Sequence, residues 1–79
     1  MMMLRVAKVF SEVLGVAPDT ITDDTSPDNT PQWDSMAAMT LVVAIEDEFD
    51  VRLSTAEIIA MRNVGIVRKV LATKGVVNA

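Results

Sequence analysis

Every proline of this chain, Pro18, Pro27 and Pro31, falls in one polar stretch between Gly15 and Trp33. Proline lacks the N–H that a helix interior or a sheet ladder needs, so this confinement marks a connection and leaves the flanking segments free to form unbroken elements. Those segments carry apolar residues at helical spacing and show no strand-like alternation. The expected fold class is therefore all-α.

In the first segment Val6, Val9, Phe10, Val13 and Leu14 share one face, with Arg5, Lys8 and Glu12 opposite, and Gly15 follows as a C-terminal cap. The stretch from Gly15 to Trp33 is long for a compact protein, and Val16, Ile21 and Trp33 are its expected apolar anchors. A second helix should run from about Asp34 to Phe49. Ser54-Thr55-Ala56-Glu57 reads as a capping box for a third, with Leu53 and Ile58 placed as its hydrophobic staple. That helix must be short, because Asn63 already suits the N-cap of a fourth. The fourth turns Val64, Val67, Val70 and Leu71 inward, brings Arg68, Lys69 and Lys74 toward its negative end, and closes at Gly75. The expectation is a small four-helix bundle with a long first loop and a short third helix, a single domain over residues 1–79.

Composition narrows the chemistry. With no Cys and no His, zinc sites, thiol nucleophiles and imidazole acid–base catalysis are excluded, and no metal site or catalytic residue is expected. Asp23, Asp24 and Asp28 lack the alternating spacing and glycine of a calcium loop and read as a polar turn. Seven Lys and Arg against eleven Asp and Glu leave a net charge of −4, the wrong sign for a nucleic-acid binder and the right one for a basic partner. The longest apolar run, Leu41 to Ile45, is five residues, far from the ~20 of a membrane span. Met1–Leu4 has no apolar region behind it and does not read as a signal peptide. A cytoplasmic monomer is expected.

The second helix carries two apolar stripes. At ~100° per residue, Ala38, Leu41, Val42, Ile45 and Phe49 form the core stripe, and Met36, Met39 and Val43 form another turned by roughly 130°. Either the long loop folds over the second stripe or the stripe is a docking surface, a use that soft, adaptable methionine suits. Glu46, Asp47, Glu48 and Asp50 lie below it as an acidic border. An ordinary solvated face is the plainer reading of those acids.

Asp34 and Ser35 open this helix, and either is a good N-cap. A serine there is exposed, beside the apolar stripe, at the positive end of a helix dipole that favours an attached phosphate. Ser35 thus reads as a site of phosphoester modification. With no His and no nearby Lys to take its proton, it must be activated by a partner enzyme.

At these residues the sequence resembles the acyl carrier proteins. Trp33-Asp34-Ser35-Met36 is similar to their Asp-Ser-Leu attachment motif. The run from Leu41 to Val51 resembles their second helix, and Asn63-Val64-Gly65 resembles the start of their last one. The resemblance implies that Ser35 carries 4'-phosphopantetheine, whose thiol holds an acyl group, and that other enzymes do the catalysis. It implies that Asp34 assists the phosphopantetheinyl transferase. Met36, Met39 and Val43, bordered by Glu46 and Asp47, would contact this transferase and the acyl-loading and acyl-transferring enzymes. Arg62 is grouped with these contacts, although solvation of a helix end accounts for it equally. Leu41, Val42, Ile45 and Phe49 would line the core into which a short acyl chain retreats.

Fatty-acid-synthesis members commonly place acids where this chain has Ala37 and Thr40, which implies a specialised carrier for a secondary-metabolite, polysaccharide or modified-lipid pathway. Two alternatives stay open. One is an aminoacyl carrier, since Asp-Ser-Met also resembles the D-alanyl carrier motif. The other is an unmodified helical adaptor binding a partner through the Met36, Met39 and Val43 stripe.

Overall fold

The computed structural model describes residues 5–77 and 79, so the reading of Met1–Leu4 lies outside the described residues. Among those residues the chain forms α1 (Arg5–Leu14), a 3₁₀ turn (Pro18–Thr20), α2 (Ser35–Phe49), α3 (Thr55–Ala60) and α4 (Val64–Thr73), with no strand. This is the all-helical arrangement that the apolar spacing predicts. No helix among the described residues is long and apolar enough to cross a membrane.

The first helix buries Val6, Ala7, Val9, Phe10 and Leu14, while Val13 is only half-buried. Gly15 stops it with a left-handed φ of 70°, a conformation without steric cost for a residue lacking Cβ. The Val6 N–H, in the first described turn of α1, donates to the Ala79 carbonyl at 2.9 Å.

The long connection is pinned. Trp33 is buried and meets Phe10 edge to face, with ring centroids 5.1 Å apart. Val16 and Ile21 pack against the core from its surface. A fourth anchor, Thr25, is polar: it is buried, its Oγ1 accepts from the Thr22 N–H at 2.9 Å, and its carbonyl accepts from the Val64 N–H at 3.0 Å. The Asp23 carbonyl likewise accepts from the Gly65 N–H at 3.0 Å. Together with the Asn63 side chain, which accepts from Ile66, these loop carbonyls satisfy the free N–H groups of the first turn of α4. Gly65 is what allows this approach, because a Cβ there would lie 3.2 Å from both the Cβ and the carbonyl oxygen of Asp23.

Leu41, Ile45 and Phe49 of α2 are buried against α1 and against Val64, Val67 and Leu71 of α4. Val70, expected inward, is half-buried. At the far end of α2 the Arg5 guanidinium donates to the Glu48 carbonyl at 2.8 Å and its carboxylate at 3.1 Å, and sits 4.6 Å over the Phe49 ring. Asp50, with φ 52° and ψ 51°, ends the helix in the left-handed region, where Asp is among the few non-glycine residues tolerated. The third helix begins with the expected capping box, the Ser54 hydroxyl accepting from Glu57 and the Glu57 carboxylate from Ser54. Of its staple, Leu53 is half-buried and Ile58 remains 38% exposed.

Candidate functional site

The site is built where the pinned loop becomes α2. Trp33 is held from inside by Phe10, and its N–H donates to the Thr30 carbonyl at 2.9 Å. The next two residues are thereby carried out to the surface. Asp34 is the N-cap: its backbone is extended, and its carboxylate accepts from the Ala37 N–H at 2.9 Å. Ser35 is the first residue of the helix, exposed, and its hydroxyl is left out of the cap. Of the two residues able to start the helix, the carboxylate does so and the hydroxyl is free for other chemistry. No His or Cys exists in the chain to activate it.

Beside Ser35 runs the second stripe. Met36 is 80% exposed, Met39 73% and Val43 58%, so the long loop does not cover them. It lies over α1 and the start of α4 instead, as the Thr25 and Asp23 hydrogen bonds require. The acids below the stripe are not equivalent. Glu46 turns inward and accepts from the Leu53 N–H at 2.9 Å. Glu48 is engaged by Arg5 at 3.1 Å, whereas Asp47 is simply exposed. Arg62 is exposed between α3 and α4.

Behind the stripe lies a small cavity of about 40 Å³ lined by Phe10, Trp33, Ala38, Leu41, Val42, Ile45, Ile58, Met61 and Val67. Three of the four residues expected to face an acyl chain are here. Phe49 is the exception: it is buried in the core, as expected, but outside this lining, because it lies a full turn, about 6 Å, beyond Ile45 along the helix. Ile58 and Met61, on and just after α3, were not among the expected lining residues. Their i, i+3 spacing after the capping box is the signal that places them on one face. Four larger hollows, from about 210 Å³ to about 430 Å³, are not lined by Ser35 or the methionines.

The comparison with protein families decides what this arrangement belongs to. The family described as the phosphopantetheine attachment site matches residues 5–67, most of the chain. The chain belongs to that family. Among solved structures, it is similar to a holo acyl carrier protein from Nitrosomonas europaea, determined by NMR in solution. The two share 27% identity over 87% of this chain and 89% of that one, with a TM-score of 0.75.

The chain is thus an acyl-carrier-type protein, taking 4'-phosphopantetheine covalently and acting as the substrate of other enzymes rather than as a catalyst. Its partners are of the general kind such carriers use, a phosphopantetheinyl transferase and acyl-handling enzymes. The residues at the start of α2 fit such a group: an exposed hydroxyl excluded from the cap, at the positive end of a fifteen-residue helix.

Proposed function

We propose that Ser35 is the attachment residue and that the chain presents an acyl group to partner enzymes in a specialised biosynthetic pathway. The observation that carries this reading is the division between Asp34 and Ser35, in which the carboxylate caps α2 and the serine is exposed with its hydroxyl outside the cap. The arm supplies the thiol that holds the acyl group as a thioester. The protein supplies the rest: a fixed helix start that orients the serine, a dipole that favours the phosphodiester, and an apolar face beside it for the visiting enzyme.

On this reading Asp34 has two roles, helix cap and aid to the transferase. Met36, Met39 and Val43 contact the partner, with Asp47 at the lower edge of the contact. Glu46 contributes indirectly by holding the turn at Leu53. Leu41, Val42 and Ile45 line the cavity that receives the start of an acyl chain. The cavity is small, about 40 Å³, so a longer chain enters only if the lining parts. The absence of acids at positions 37 and 40 supports a specialised carrier over one serving general fatty acid synthesis.

Intact mass measured before and after incubation with coenzyme A, magnesium and a broad-specificity phosphopantetheinyl transferase tests the assignment. The expected result is a gain of one phosphopantetheinyl group that disappears in Ser35→Ala. A gain retained in that variant would move the attachment elsewhere, and no gain at all would favour the adaptor.

A further inference from the structure

The loop that joins α1 to α2 lines a hollow of about 340 Å³, within the ~300–1,000 Å³ range of small-molecule clefts. Its lining is mixed. Val16 and Ile21, packed against the core, supply apolar surface, and Thr22, Thr25, Thr30 and Gln32 supply polar groups. Those groups are not fully used. Thr25 is only 6% exposed, and its Oγ1 accepts from the Thr22 N–H, but its own O–H finds no acceptor among the described residues. The Thr22 hydroxyl likewise accepts, from the Asp24 N–H at 3.3 Å, and donates to none of them. The Thr30 hydroxyl is the converse: it donates to the Asn29 side-chain oxygen at 2.8 Å and keeps its lone pairs. The Gln32 side-chain amide has no hydrogen bond among the described residues, which leaves both its N–H donors and its oxygen available.

We propose that this hollow is the resting site of the phosphopantetheine arm when no enzyme holds it; the inference rests on the carrier reading above. Position argues first. Gln32 is three residues from Ser35, so their Cα atoms lie within about 11 Å of each other. The cavity behind α2 is also close to Ser35, but at about 40 Å³ it is too small for the arm, and its lining is almost wholly apolar, where unpaired amides are penalised. Chemistry argues next. Beyond its phosphodiester the arm carries a hydroxyl beside a gem-dimethyl group, and then two secondary amides, each with one donor and one acceptor group. Val16 and Ile21 suit the methyls. The idle Thr22 and Thr25 protons and the Gln32 N–H groups can donate to the amide carbonyls, while the Thr30 and Gln32 oxygens can accept from the amide N–H groups. No charged residue lines the hollow, as a neutral arm requires. Tethering at Ser35 holds the arm at an effective concentration of order mM, so modest contacts in a partly open hollow suffice and an arriving enzyme can draw the arm away.

Amide NMR spectra of the full chain, before and after loading with a broad-specificity transferase and coenzyme A, test this, with intact mass establishing that the arm is attached. The expected result is a change of chemical shift at Thr22, Thr25 and Thr30 and at the Gln32 side-chain amide, with nuclear Overhauser contacts from the gem-dimethyl protons to the Ile21 methyls. In Gln32→Leu the changes at Thr22 and Thr25 fall by roughly half, as the loss of a modest hydrogen bond from a weak contact implies. Gln32 is exposed, and the spectrum of the unloaded variant checks that the fold is intact. Shift changes confined to residues 33–38, with no contact between the gem-dimethyl group and Ile21, mean that the arm hangs free and overturn the proposal while leaving Ser35 as the attachment residue. Contacts to Ile58 or Met61 overturn it equally, by placing the arm against α3. No mass gain in the unaltered chain overturns the carrier reading and this inference with it.

Discussion

Asp34 and Ser35 are chemically interchangeable as helix starters, and the fold assigns them different tasks. Replacing Asp34 by Ala should lower unfolding stability by about 1 kcal/mol, the usual cost of a lost N-cap, measured by urea denaturation. Asp34→Ser should restore most of that stability, because a hydroxyl also accepts from Ala37. If loading of Ser35 remains slow in Asp34→Ser although its stability has returned, the carboxylate serves the transferase directly; if loading recovers as well, Asp34 is only a cap. This pair was legible in the sequence because a cap is a local matter of three residues. Glu46 was not. Its bond to Leu53 spans seven residues and depends on the left-handed turn at Asp50, and nothing in the residue types alone announces a non-glycine residue there. It therefore read as one more acid bordering the exposed stripe, a partner contact or a solvated face.

Element by element, the helices followed from apolar spacing and caps, and what joins them did not. The two stripes of α2 were legible as a geometric fact, but which one the loop covers depends on where the loop's carbonyls find donors. They find them at Val64 and Gly65, far away in sequence. Gly65→Ala should test that seam. Alanine gains up to ~1 kcal/mol in helix propensity, but its Cβ would press on Asp23 at 3.2 Å and on the Asn63 side-chain oxygen at 3.3 Å. Overpacking of this kind costs ~1–3 kcal/mol, so a net loss of about 1 kcal/mol is expected in thermal unfolding. A gain would mean that the loop gives way there. The contact between α3 and α4 is electrostatic as well: Lys74 meets Glu57 at 2.9 Å. The Ser54 backbone N–H first, and then Lys74, hold the Glu57 carboxyl below the usual carboxylate range. A carboxyl whose pKa is lower folded than unfolded stabilises fully above its unfolded pKa of about 4.3, and that contribution disappears as pH falls through the folded value. Stability should therefore decline below about pH 4.3. In Glu57→Gln it should start lower at neutral pH and decline less on acidification; an unchanged acid profile would show that the pair contributes nothing.

Over the whole molecule, the bundle closes around Phe10, Trp33, Leu41, Ile45, Val64, Val67 and Leu71, all buried. Of these, only Trp33 lies outside a helix, and its position at the end of a proline-rich stretch made it readable as an anchor. Thr25 was missed for the converse reason. A threonine among polar loop residues has no hydrophobic signal, and its burial follows from two backbone partnerships that only the assembled fold creates. The helices share this core unequally. α3 has six residues, none of them fully buried, and is held by its capping box and the Glu57–Lys74 bridge. A helix so short is marginal by itself, so its amide hydrogens should exchange with solvent through a local opening, well before those of α1, α2 and α4, which need the core to come apart. Because Ile58 and Met61 wall the small cavity, each such opening also unlatches one side of the protein's interior, giving this carrier a door that swings without the house unfolding.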